Sequence, residues 1–385
     1  MAGALPTRVC RASFIALGLV LASLPVTGRS AKPVASPKGH VHQNGQEEDQ
    51  TIRLTSDLVS LNVAVIDKDG HSIKSLKKSD FVAYEDGIKQ QITNFAAAEE
   101  PFTVMLLLDV SGSTSEQIGL MKAAAKNFLS YLDQRDNVGV IAFSGGVELL
   151  ADLGNTRADV QSSIDGIATA EGSEGHRFAS NTGTSFYDAL YSAVNESPLK
   201  RITGRKAIVC MTDGVDSSSR MHYPETARLV EKSDASVYFL ELDTEKANLE
   251  ALLRDRNDPG YANFSHAQIE RYCDTYHRDE IDRALPPQMI PRDERKKINH
   301  GLYEIAHGEL KDLAGRTGGR IYPVKTVWDL VGVFRQIADD LRAQYSIGYY
   351  PANKARDGRW RIIKVEVTTR GARVRTRPGY WAPIE

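Results

Sequence analysis

Five oxygen-bearing side chains, spread over three stretches of the chain, could share one task. Asp109-Val-Ser111-Gly-Ser113 follows a continuous apolar run, Val104 to Leu108. A carboxylate and two hydroxyls alternate there with Val110 and Gly112. Alternation at a turning loop can aim several oxygens at one point, and Gly112 lets the backbone bend sharply. Thr184, in Asn181-Thr-Gly-Thr184-Ser185, stands just before a helical pattern and could add a third hydroxyl. Asp213, in Thr212-Asp213-Gly214, follows the apolar run Ala207 to Met211 and adds a second carboxylate. Oxygen donors without Cys or His suit hard cations, Mg²⁺ above all, with Ca²⁺ or Mn²⁺ also possible. An Asp-x-Ser-x-Ser loop alone is common, and Asp and Ser also cap helices. Capping does not account for Thr184 and Asp213 together.

Such residues need a scaffold that brings three loops to one edge. Val104–Leu108, Val138–Phe143, Ala207–Met211 and Ser236–Leu242 read as strands, most of them apolar on both sides, the mark of a covered parallel sheet. Val147–Leu153 and Arg320–Val324 add two more. Between them, helical spacing predicts helices over 117–132, 157–167, 186–194, 224–232, 310–317 and 327–344. A Gly/Ser-rich loop spans 172–183. Strands alternating with helices predict an α/β fold with a doubly wound, mostly parallel sheet, whose ligand sites lie at the carboxyl ends of the strands.

The segment 244–299 interrupts this alternation. It is strongly charged, with short helical pieces at 247–254 and 267–276. A connection of that length inside one domain calls for a reason. Cys273-Asp-Thr-Tyr-His277 within it offers only two zinc ligands of the four a structural site needs, so a solvated helix is expected. On either side of the α/β region the pattern is that of β-structure: 51–98 before it, with turns at Asp69-Gly70 and Asp86-Gly87, and 345–385 after it. Together these two segments are expected to form one small β-sandwich. Asp67-Lys-Asp69-Gly70 has its glycine at the wrong place for a calcium loop and reads as a turn. Arg373, Arg375 and Arg377 share one face of a strand, an expected solvated stripe or a surface for an anionic polymer.

With these motifs in view, the chain resembles the von Willebrand factor A-type domain over about 102–344. The resemblance rests on Asp109-x-Ser111-x-Ser113, Thr184 and Asp213, which match the family's metal-ion-dependent adhesion site. It implies direct coordination by Ser111, Ser113 and Thr184, with Asp109 and Asp213 acting mainly through bound waters. It also implies that the insert borders the site, which departs from a minimal A domain. The flanking segments look like those of bacterial exported proteins related to this family, through Glu85-Asp-Gly, Ile347-Gly-Tyr-Tyr-Pro351 and Pro378-Gly-Tyr380.

Composition is consistent with this. The 385 residues carry 48 Lys and Arg against 50 Asp and Glu, a balance that argues against a nucleic-acid partner. Three cysteines are too few for a disulfide scaffold. Arg8 and Arg11 precede an uncharged run from Phe14 to Val26, and Gly28, Ser30 and Ala31 follow. This is the pattern of a secretory signal peptide over 1–31, and 32–50 reads as a flexible linker. The expected organisation is leader, linker, N-terminal β segment (51–98), A-type domain (101–344, with the insert 244–299) and C-terminal β segment (345–385). The expected location is periplasmic or extracellular, with no membrane span in the mature chain.

No phosphate-binding Gly-x-x-x-x-Gly-Lys loop, nucleophile elbow or His-Glu-x-x-His appears, so an enzyme is not expected. Hydroxyl and water ligands neutralise little of a cation's charge and leave it open to a partner's Asp or Glu. The sequence therefore points to a metal-dependent protein-binding module whose partner offers a carboxylate. The alternative is a structural or assembly factor of the cell envelope in which the ion only stabilises the fold. The oligomeric state is not encoded in any motif found.

Overall fold

A computed structural model describes residues 58–384, apart from 70, 99, 168–182, 203, 259, 279–285 and 327. The expected leader and linker, and Asn181 with most of the Gly/Ser-rich loop, lie outside the described residues. Four strands come first: β1 (Val59–Ile66), β2 (Phe81–Glu85), β3 (Ile88–Gln90) and β4 (Ile92–Ala96). The α/β region then runs β5 (Thr103–Asp109), α1 (Ile118–Tyr131), β6 (Asn137–Phe143), β7 (Val147–Ala151), α2 (Arg157–Asp165), α3 (Phe186–Tyr191), β8 (Lys206–Thr212), α4 (Tyr223–Lys232) and β9 (Ser236–Leu242). The insert contributes α5 (Glu245–Leu252), α6 (His266–Tyr276) and α7 (Arg292–Thr317). β10 (Arg320–Val324), α8 (Asp329–Arg342), β11 (Gln344–Tyr349), β12 (Trp360–Val367), β13 (Arg373–Arg375) and β14 (Gly379–Trp381) complete the chain.

The central sheet has the order β10-β9-β8-β5-β6-β7 and is parallel except for β7, which runs antiparallel to β6. Its apolar runs divide by period 2 between two cores. Val104, Leu106 and Leu108 of β5 face one layer with Val209, Met211, Tyr238 and Leu240, where α1, α2 and α8 cover them. Met105 and Leu107 face the other, with Ile208, Cys210, Val237 and Phe239 under α3, α4 and the end of α7. Burial on both faces is why these strands carry almost no alternating polar residue. Cys210 is a fully buried member of that second core, as a small apolar residue would be.

The terminal β segments join in two further sheets, β13-β1-β11-β4 and β14-β12-β2-β3. Each mixes strands from both ends of the chain: β1 pairs with β11, and β2 with β12. Their inner faces share one core, including Leu61, Val63, Phe81, Tyr345, Ile347 and Ile363. The sandwich is tied to the central sheet by polar contacts. Asn62 donates to the Lys206 carbonyl at 3.3 Å and to Ser236 Oγ at 3.2 Å. Arg377 pairs with Asp234 at 2.5 Å and donates to the Ser60 carbonyl at 2.9 Å. Arg375 pairs with Asp340 of α8 at 2.9 Å. Two of the three stripe arginines thus face inward as clamps rather than outward toward a polymer. The Asp67 loop is a turn, its carboxylate accepting from the Asp69 and His71 amides at 2.9 and 2.8 Å.

The insert differs from its sequence reading in two respects: its extent, and the burial of one side of α6, whose Ile269, Tyr272 and Cys273 are buried where a solvated helix is expected. The helix expected over 310–317, after the insert, begins inside it: α7 is continuous from Arg292 to Thr317, 26 residues, so the inserted structure runs past 299 to the helix's end at Gly318, with φ 72°. The helix serves two cores in turn. Ile298, Leu302 and Ala306 pack with Leu252, Phe264, Ile269, Tyr272 and Cys273 in a core of the insert's own. Leu310, Leu313 and Ala314 then pack under the central sheet. The apolar stripe swings from one side to the other, and Gly301 sits midway because a Cβ there would come within 2.5 Å of Tyr272. A helix with a wandering stripe gives a weak periodic signal. Cys273 lies in the insert core and His277 caps α6 in a left-handed conformation, so the pair belongs to packing and helix termination.

Candidate functional site

β5 and β8 are parallel neighbours, so the loops after them open at the same edge of the sheet. Asp109 closes β5 and is fully buried. Its Oδ1 accepts the Ser111 amide at 3.0 Å, an Asx turn that swings the chain off the strand. Its Oδ2 accepts the Thr212 hydroxyl at 2.6 Å, which links the first loop to the third. Thr114 Oγ1 donates back to the Asp109 carbonyl at 2.8 Å and fixes the turn that leads into α1. Within this turn the Ser111 and Ser113 hydroxyl oxygens come to 3.2 Å of each other.

Asp213 is held in the same way. Its Oδ1 accepts the Val215 amide at 3.0 Å, and its Oδ2 accepts a threonine hydroxyl, here Thr244, at 2.6 Å. Gly214 takes φ +76°, and a Cβ there would lie 2.9 Å from Leu310 of α7. The left-handed turn requires glycine, and a Cβ would also displace the Leu310 side chain.

Thr184 reaches the site along a different route. Its amide donates to Ser217 Oγ at 2.8 Å, and its carbonyl accepts the amides of Ser217 and Ser218 at 2.9 and 3.2 Å. The next residue, Ser185, donates its amide to the Ser144 carbonyl just past β6. Thr184 therefore lies between the ends of β6 and β8, nearly buried, and among the described residues its hydroxyl makes no hydrogen bond. Asp216 anchors the helix that follows, accepting from the Phe186 amide at 2.9 Å. The structure joins Asp109 to the Asp213 loop and Ser111 to Ser113 by direct contacts. Thr184 joins them through Ser217 and Ser218.

The electrostatics are one-sided. Burial, and then the charge of Asp213, push the Asp109 carboxyl up to about 7, against the pull of its hydrogen bonds from Ser111 and Thr212. Burial, followed by Asp109, also pushes the Cys210 thiol up. Among the described residues no Lys or Arg pairs with Asp109 or Asp213. Two carboxylates close enough to raise one another's proton affinity, without a basic partner among the described residues, are unfavourable in isolation, and a divalent cation would relieve them. The donor set fits a hard cation: hydroxyls able to ligate directly, with acids behind them already oriented by threonine and backbone donors. Among the described residues no cluster of three His, Cys, Asp or Glu could hold a metal ion, so a cation here would have to be held largely by hydroxyls.

Sequence reading missed Thr212, Thr244, Tyr303 and Asp216 as parts of the site. Thr212 adjoins Asp213 in the motif but carries no role legible from spacing. Thr244 and Tyr303 belong to the insert, whose path the sequence does not fix. Tyr303 OH lies 2.8 Å from Thr244 Oγ1 and 3.5 Å from Asp213 Oδ2.

The von Willebrand factor type A domain family matches residues 104–215, the span from β5 through the Asp213 loop. No curated protein matches the chain. Solved structures similar to it include the proximal thread matrix protein 1 of mussel byssus with a zinc-occupied MIDAS motif, at 12% identity and TM-score 0.40, covering 66% of this chain and 48% of that one. The chain thus spans about half the length of the mussel protein. The conserved hypothetical protein BatB from Bacteroides thetaiotaomicron matches at 17% identity and TM-score 0.36, covering 62% of this chain and 98% of that one. A von Willebrand factor type A protein from Catenulispora acidiphila matches at 13% identity and TM-score 0.39, covering 86% of this chain and 75% of that one.

Proposed function

Starting from a von Willebrand factor type A domain over residues 104–215, we propose that this chain is a metal-dependent protein-binding module that captures a partner's carboxylate. Ser111, Ser113 and Thr184 are the direct ligands in this reading, and Asp109 and Asp213 orient them and the ion's waters. The ion, Mg²⁺ before Ca²⁺ or Mn²⁺, supplies when bound a positive charge and a replaceable water for the partner's Asp or Glu. The single observation carrying the reading is the buried pair Asp109 and Asp213, without a basic partner among the described residues, behind hydroxyls 3.2 Å apart.

The chain's own residues divide the work. Thr212 and the Ser111 amide keep Asp109 from rotating, so the hydroxyls in front of it stay paired. The carboxylates beside the hydroxyls already accept hydrogen bonds on both of their oxygens, which suits holding a partner's carboxylate rather than activating water. Export to the periplasm or beyond is part of the proposal and rests on the basic and apolar residues between Arg8 and Ala31. Among the described residues no helix is long and apolar enough to cross a membrane.

The test is retention of envelope proteins on the immobilised chain. Expected is binding in Mg²⁺, release by EDTA, and loss in Asp109→Ala. Retention of equal strength in EDTA and in that variant would contradict the proposal.

A further inference from the structure

We propose that the insert forms part of the ion site, with Thr244 and Tyr303 as positioning residues for Asp213; this rests on the reading of the five oxygen-bearing residues as an ion site. Thr244 follows β9 and is 1% exposed. Its hydroxyl spends its one proton on Asp213 Oδ2, at 2.6 Å. It must then accept from Tyr303, 2.8 Å away on α7. The three groups form a directed chain, Tyr303 to Thr244 to Asp213, that fixes the carboxylate from the insert side. The Val215 amide fixes it from its own loop.

Two further observations root the insert at the same place. Val215, two residues beyond Asp213, packs in the insert's own core with Leu252, Phe264 and Leu302. Six residues along α7 from Tyr303, Glu309 accepts the Tyr187 hydroxyl at 2.5 Å. Tyr187 stands three residues after Thr184, and Arg271 of α6 pairs with Glu309 and lies over the Tyr187 ring at 5.2 Å. One helix of the insert thus grips the Asp213 loop and the helix behind Thr184. The insert is then a buttress for two of the three loops rather than a detached lid. Linkage makes the effect reciprocal: disturbing the insert weakens the ion, and the ion steadies the insert.

The test measures Mn²⁺ affinity by electron paramagnetic resonance in the full chain and in Thr244→Val, Thr244→Ser and Tyr303→Phe. Thr244→Val keeps the shape and removes the donor; affinity should fall about 10–100-fold, the usual effect of losing a group that orients a ligand. Thr244→Ser restores the hydroxyl and should return affinity close to the parent value. Tyr303→Phe keeps the ring packing and should give a smaller loss, and it carries the test if Thr244→Val does not fold. In parallel, Mg²⁺ should slow amide exchange in α5 and α6 of the parent and fail to do so in Thr244→Val. A parent that takes up Mn²⁺ while Thr244→Val and Tyr303→Phe take it up equally well overturns the inference and leaves the ion site standing. A parent that takes up no ion overturns both.

Discussion

Asp109 and Asp213 are built alike. Each gives Oδ1 to the amide two residues on and Oδ2 to a threonine hydroxyl at 2.6 Å. This double grip makes a buried acid pair tolerable, yet it leaves Asp109 pushed up to about 7 when no cation is supplied. The sign of the resulting pH dependence follows. A carboxyl with a raised folded pKa adds stability below its unfolded pKa, 3.8, and that contribution is lost as pH rises through about 7. In EDTA, Asp109→Asn removes the titration. Its unfolding free energy, read from urea unfolding, should gain on the parent's between pH 4 and pH 8, by an amount on the order of 4 kcal/mol at most. A parent-minus-variant difference flat across that range would show that neither burial nor Asp213 holds the Asp109 carboxyl up. The same carboxyl makes ion uptake compete with protons, so Mg²⁺ affinity should weaken as pH falls below 7. Thr212→Val should also be costly, about 1–3 kcal/mol in thermal or urea unfolding, because it strips a donor from a fully buried acid.

At the scale of elements, the sheet was legible because its strands are buried on both faces. Runs such as Val104–Leu108 and Ala207–Met211 can satisfy their surroundings only there. The motif loops were legible for a related reason, since they follow those strands directly. α7 was not, because its buried side changes core partway along, and charged residues fill the rest of its surface. Nor could spacing reveal Thr244 and Tyr303, whose roles depend on where a connection of unknown path returns. Gly214 marks the junction of the two regions. Gly214→Ala adds a Cβ at φ +76° and 2.9 Å from Leu310. Unfolding should show a loss of about 1–3 kcal/mol, and ion affinity should fall with it because Asp213 is the preceding residue. Stability equal to that of the parent would mean that neither the positive φ nor the Leu310 contact strains an added Cβ.

Across the whole molecule, the two ends of the chain meet in one sandwich, and that sandwich is fastened to the end of the central sheet where β8 and β9 begin. Asn62, Arg375 and Arg377 make the attachment. Alternating arginines in a sequence read equally well as a solvated stripe, and only the position of Asp234 and Asp340 decides otherwise. Arg377 is 6% exposed while Asp234 stays partly open to solvent, so Arg377→Met should break a half-buried pair and lower stability by about 1–2 kcal/mol in chemical unfolding. Because the clamp lies at the far end of the sheet from the candidate site, ion affinity should stay at the parent value in that variant, which separates general destabilisation from damage to the site.

The most direct measurement of the central claim is Mn²⁺ uptake by the purified chain, followed by electron paramagnetic resonance with Mg²⁺ as competitor. One ion per chain is predicted, displaced by Mg²⁺ and lost in both Asp109→Ala and Asp213→Ala. No uptake by the parent, or uptake that survives in both variants, would contradict the account.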